Sequence, residues 1–156
     1  MAITQVEIDC ANGLFFDGWC GDDPYGPCKY MTDDVVMRDI NRHEAIVGHE
    51  AIANRWRHVA GRMRLPIEEL FVSEHGIVAL WFVYVQIVEG EHAGQWNMGE
   101  GTSRLEFRDG KVCLEIDYWH GPQGRCDDWE EHFAARKALS RYDRGFVSGA
   151  WVPGKS

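Results

Sequence analysis

YMTDDVVMRD (Tyr30–Asp39) carries the reading of the fold. Val35, Val36 and Met37 are strand-forming residues. With a period of two they divide into one face bearing Val35, Met37 and Asp39 and another bearing Asp34, Val36 and Arg38. Asp39 therefore shares a face with apolar side chains, where poor solvation favours the protonated form and suits a carboxyl to proton transfer near neutrality. The segment stands between two helical patterns. Before it, Val6, Ile8, Cys10, Leu14, Phe15 and Phe16 predict a first helix over 4–16, followed by the Gly-, Pro- and Asp-rich GWCGDDPYGPCKYM, a loop or broken helix. After it, Ile52, Trp56, Val59 and Met63 fall at helical spacing and predict a helix over 49–63 that Pro66 ends.

From Pro66 onward the pattern is β. PIEELFVSEHG reads as a strand turning at His75-Gly76, Ile77–Val88 and Trp96–Phe107 as long strands, and Val112–Trp119 as the last. Asp109-Gly110 is the tip of a tight hairpin. Short turns between successive strands predict an antiparallel meander, and Gly99 and Gly101 within a strand predict a bulge or bend. The closing strand, GKVCLEIDYWHG (Gly110–Gly121), carries Asp117. Unbroken alternation groups Asp117 with Cys113, Glu115 and Trp119, opposite the more apolar Val112, Leu114, Ile116 and Tyr118. DDWEEHFAARKALSRYD predicts a further helix with Asp127 as its N-cap, covering either the pocket or a neighbouring subunit.

A chain of 156 residues suffices for one domain with a substantial core. Its formal net charge of −9 argues against a nucleic-acid partner, since phosphate binding requires a basic stripe. The longest apolar run, GIVALWFVYVQIV, is too short to span a bilayer, and no secretory signal pattern opens the chain, so the expectation is a cytoplasmic protein without a membrane partner. The five cysteines show no C-x-x-C pairing; reduced thiols are the simplest reading, with a Cys20–Cys28 bridge as the alternative. None of the seven histidines forms a metal motif, and neither a phosphate loop nor a G-x-S-x-G elbow is present, so no metal or cofactor is expected.

The order of elements, with YMTDDVVMRD, IVGHEAIANRW and DGKVCLEIDYWHG, resembles the nuclear transport factor 2-like superfamily, in its branch of SnoaL-like polyketide cyclases, ketosteroid isomerases and limonene-epoxide hydrolases. The resemblance spans Ile3 to Gly121. It implies an α+β fold, a cone-shaped curved antiparallel sheet wrapped around N-terminal helices (a cystatin-like α+β barrel), over residues 1–121, with residues 122–156 as a partly helical C-terminal extension. It places Asp39 on the strand that carries the isomerase aspartate, while Phe15 and Ser103 stand where those enzymes have oxyanion-binding groups, so that feature differs here. Asp117 before Tyr118-Trp119 matches the last-strand aspartate of the epoxide hydrolases and the acid–base aspartate of the cyclases. Met37 and Asp39 replace the hydrolases' first-strand Tyr and Asn, and FVYVQIVEG has neither their middle-strand Arg nor their second Asp.

The resulting expectation is a cofactor-independent acid–base enzyme that cyclises, isomerises or dehydrates a small apolar molecule. Asp39 as general base, and Asp117 as the acid or the group that orients it, are its catalytic groups; Phe15, Trp56, Tyr84, Asn97, Ser103, Trp119 and His120 are the candidate substrate contacts. His58 and Arg104 are read as surface residues, and a homodimer packed through the outer sheet face is expected. The alternatives are a non-catalytic small-molecule-binding or oligomerisation module, an epoxide-type hydrolase, and a scaffold subunit of a larger oxygenase, all on one fold.

Overall fold

The computed structural model describes residues 2–142, in which helix α1 occupies Gln5–Gly13. The Glu7 carboxylate accepts the Thr4 N–H at 2.9 Å and closes the first turn. The helix runs on into a wider turn over Leu14–Gly18, in which the Trp19 N–H donates to the Leu14 carbonyl at 2.8 Å. That turn sends Leu14, Phe15 and Trp19 into the core and leaves Phe16 86% exposed. A short tight helical turn over Gly26–Tyr30 leads into strand β1, Met31–Asp39.

The next strand, β2, is Ile46–Val47, and helix α2 covers His49–Trp56. The helix expected to reach Met63 thus ends a turn or two early. Turns carry the chain from Arg57 to β3, Met63–Arg64. Val59 and Met63 still face inward and line the same cavity as Trp56.

Strands β4 (Ile67–Ser73), β5 (Gly76–Gln86), β6 (Trp96–Arg108) and β7 (Lys111–Cys126) form the expected antiparallel meander. Asp109 and Gly110 adopt φ of 54° and 75°, the backbone of a tight hairpin between β6 and β7. The sheet order is β2-β1-β7-β6-β5-β3, with β4 also on β5, and the sheet curls strongly into a half-barrel around the helices. Strand β1 does not extend the meander at an edge. It lies between β2 and β7 and runs parallel to β7.

One irregularity sets the phase of β7. Phe107 pairs with Val112, but Glu106 pairs with Leu114, so Cys113 is an extra residue and the alternation slips by one. Val112 is 0% exposed and Glu115 1% exposed, both on the inner face. The inner face of β7 is therefore Val112, Glu115, Asp117 and Trp119, and Tyr118 points out, 45% exposed. On the same inner face of the sheet stand Val35 and Met37 of β1, Ile77 and Trp81 of β5 and Leu105 of β6, all buried in one core with Leu14, Phe15, Trp19 and Ile52. Each such side chain contributes about 1.5–3 kcal/mol on full burial.

Helix α3, Trp129–Tyr142, packs on the outer sheet face of its own chain. Phe133 meets Phe82 edge-on at 5.7 Å, and Trp129 lies 5.7 Å from Tyr84. It covers the sheet's back, not the pocket, so the pocket-cover alternative is corrected. The part of the expected extension beyond residue 142 lies outside the described residues. All five cysteines are free thiols, so the Cys20–Cys28 alternative is set aside.

Candidate active site

Register lines up a polar row across three strands. Asp39 of β1 stands beside Asp117 of β7, and Asp117 beside Ser103 of β6. In the next row toward the strand ends, Trp119, Gly101 and Trp81 are neighbours on β7, β6 and β5. In the row on the other side, Met37 stands beside Glu115 and Glu115 beside Leu105. Three carboxyl groups thus meet on one largely apolar concave surface.

Hydrogen bonds from the tryptophan row orient the polar row. The Trp81 indole N–H donates to Ser103 Oγ at 2.8 Å, and the Ser103 hydroxyl donates to Asp117 Oδ1 at 2.5 Å. Ser103 thereby uses one acceptor site and its donor at once. The Trp119 indole N–H donates to Asp39 Oδ1 at 3.0 Å, and the backbone N–H of Asn41 donates to the same oxygen at 2.9 Å. Arg42 Nε lies 3.6 Å from Asp39 Oδ2. These partners all suit Asp39 as an anion.

Glu115 is the residue that sequence reasoning passed over. It is 1% exposed, and its Oε2 accepts no hydrogen bond from any described donor. Desolvation, and next the charge of Asp117, push its pKa well above the ordinary carboxylate value. A protonated Glu115 resolves the orphaned oxygen by donating to Asp117 instead of accepting. Asp117 is also raised, to about 7, chiefly by desolvation; Asp39 adds to the rise, while the bonds from Ser103 and Glu115 oppose it. Two adjacent carboxyls in a dry site hold one proton between them because both cannot ionise cheaply. A signal for Glu115 existed: alternation placed it on the face of Asp117, so an inward Asp117 brings Glu115 inward with it.

Replacing Ser103 by Ala removes a bond that favours the Asp117 anion. In a Ser103→Ala variant the Asp117 titration is expected above its wild-type midpoint, read by carboxyl carbon NMR. A midpoint that stays or falls would mean that the hydroxyl does not stabilise the anion.

The cavity before these groups measures about 330 Å³. Phe15, Trp56, Asn97, Ser103 and Trp119 line it as expected, with Asp39, Asp117, Glu115, Trp19 and Arg55. Exposed His58 also borders it, so it belongs to the rim rather than to solvent alone. Two expected contacts lie elsewhere. Tyr84 points to the outer face, where its hydroxyl is hydrogen-bonded to His132 Nδ1 at 2.8 Å, because inward-facing Val83 and Val85 flank it on β5. Burial raises the Tyr84 pKa and lowers that of His132, so both stay neutral in this bond. His120 follows inward-facing Trp119 and is exposed outside the cavity. Arg104 is exposed, as read from the sequence, and the structure pairs it with Glu106. Among the described residues no group of three or more His, Cys, Asp or Glu side chains could hold a metal ion, and no helix is long and apolar enough to cross a membrane.

The model of the SnoaL-like domain family matches residues 14–115. Among solved structures, a protein assigned as a SnoaL-like polyketide cyclase from Jannaschia sp. CCS1 is 17% identical, over 88% of this chain and 94% of its own, with a TM-score of 0.60. A phenazine biosynthesis-related protein from Pseudomonas aeruginosa is 10% identical over 74% and 80% of the two chains, with a TM-score of 0.61. A protein of ketosteroid isomerase-like fold from Catenulispora acidiphila is 12% identical over 70% and 84%, also at 0.61. At these identities the likeness is one of fold. No curated protein matches the sequence.

Proposed function

The chain belongs to the SnoaL-like domain family of the nuclear transport factor 2-like superfamily, and on that premise we propose that it is an acid–base enzyme acting on a small, largely apolar molecule. The observation that carries this reading is the pairing of buried Glu115 with half-buried Asp117 on the wall of an apolar cavity, with Asp39 next to it in register. A carboxyl poised near 7 changes protonation state with little driving force in either direction, which is what a proton shuttle needs.

Asp117 is the proton-transfer group. As a carboxylate it removes a proton from carbon next to a carbonyl; the carboxyl so formed returns the proton to another position or to a leaving oxygen. Cyclisation, isomerisation and dehydration all use this pair of steps. Glu115 holds its proton and stabilises the Asp117 anion by donating to it. Asp39, matched by Arg42, Trp119 and Asn41, serves as a fixed negative charge that keeps Asp117 basic. This exchanges the roles expected from the sequence, where Asp39 was the base.

The test is a titration of carbon-labelled aspartate carboxyls, with Asp117→Asn to assign the resonance. Asp117 is expected to titrate near 7, and Asp39→Asn to lower that midpoint, because the neighbouring anion is gone. Titration of Asp117 like a free aspartate, near 4, would remove the basis for acid–base catalysis and leave a binding module.

A further inference from the structure

Deepening the acid–base reading, on which it rests, we infer that the molecule taken up by this cavity is an organic acid: a compact apolar ring system whose carboxylate is held by Arg55. This residue, near the end of α2, lines the cavity. Its half-buried guanidinium makes no hydrogen bond and no ion pair among the described residues. A guanidinium left unpaired on the wall of an apolar cavity points to an anion that arrives with the ligand.

The nearest resident anion does not fill the role. Asp39 is already supplied by Arg42 at 3.6 Å, Trp119 at 3.0 Å and the Asn41 N–H at 2.9 Å. Arg55 is left without an anionic partner at ion-pair distance among the described residues. Desolvation and the repulsion of Arg42 push the Arg55 pKa down, yet a guanidinium stays charged throughout the working range of pH. An incoming carboxylate relieves both strains, since a planar guanidinium binds it through two parallel hydrogen bonds. The remaining wall is apolar, with Met37, Val59, Met63, Trp81 and Val83 among its residues. At about 330 Å³ the cavity is small for a ligand site. A body of one or two rings fits such a space, its carboxylate at Arg55 and its reactive carbon toward Asp117.

The experiment compares 2-naphthoate with 2-naphthamide, which share shape and differ in charge, by calorimetric titration of the wild type, Arg55→Gln and Arg55→Lys. The wild type is expected to bind the acid at least about 10-fold more tightly than the amide. Arg55→Gln is expected to lose about 10- to 100-fold in affinity for the acid while its affinity for the amide stays within about twofold, and Arg55→Lys to keep part of the preference. Equal binding of acid and amide to the wild type, or an Arg55→Gln variant that keeps the preference, overturns the inference and leaves the proton-shuttle reading standing. If neither compound binds while Asp117 still titrates near 7, the substrate class is wrong and the acid–base pair survives. If neither binds and Asp117 titrates like a free aspartate, both fall.

Discussion

Asp117→Asn is expected to slow proton abstraction in the cavity by about 10²- to 10⁴-fold, the usual contribution of a positioned general base. A general probe suits an enzyme whose substrate is unidentified. In 5-nitrobenzisoxazole a base takes the ring C–H proton, the N–O bond breaks, and a coloured cyanophenolate is released. The wild-type rate is expected to rise with pH through about 7, where Asp117 becomes a carboxylate. The Asp39→Asn variant should follow the same curve displaced to lower pH. Undiminished turnover by Asp117→Asn would move the base elsewhere.

The same substitution is expected to raise stability above neutrality. Folded Asp117 keeps its proton up to about 7, whereas in an unfolded chain an aspartate releases it near 4. Between those values the folded state binds more protons, so stability that is fully present at low pH is progressively lost as pH rises through 7. Asparagine carries no charge at any pH and escapes the loss. Above neutrality the gain is expected on the order of a few kcal/mol, seen as a smaller fall in melting temperature between pH 5 and 8. Such a trade of stability for a desolvated carboxyl is common where function needs a perturbed pKa.

Gly101→Ala carries the largest expected structural effect. A Cβ at this position would lie 2.5 Å from Trp81 Cη2 and 2.6 Å from Trp119 Cβ. The absence of a side chain is what allows the Trp81 ring and the base of the Trp119 side chain to close over β6 at this point. Overpacking of this kind costs about 1–3 kcal/mol, or roughly 2–4 °C of melting temperature per kcal/mol in a chain of this size. The damage reaches the site, because Trp81 holds Ser103 and Trp119 holds Asp39. Loss of near-ultraviolet tryptophan dichroism together with a displaced Asp117 titration is therefore expected. An unchanged melting temperature would show that the indoles do not depend on the gap at Gly101.

The residues themselves announced much of this architecture. Alternation along YMTDDVVMRD placed Val35, Met37 and Asp39 on one face, and the structure buries Val35 and Met37 with Asp39 beside them in the cavity. The Asp109-Gly110 hairpin and the meander were legible for the same reason: turn chemistry and a two-residue period depend on adjacent residues. The resemblance carried Asp117 into the cavity.

Tertiary structure alone decided the rest. Pairing of β1 with β7 joins segments some 80 positions apart in sequence, as the Trp119–Asp39 bond does, and no local pattern encodes which strand lies beside which. The extra residue at Cys113 shifted the phase of β7 and brought Val112 and Glu115 onto one face, which unbroken alternation separates. Tyr84 faces outward by alternation with Val83 and Val85, but its complete burial there comes from α3, which covers that side with Trp129 and His132. The proton held between Glu115 and Asp117 follows from desolvation and mutual charge. Both depend on what surrounds a carboxyl in space, whereas side-chain alternation depends only on which residues come next in the chain.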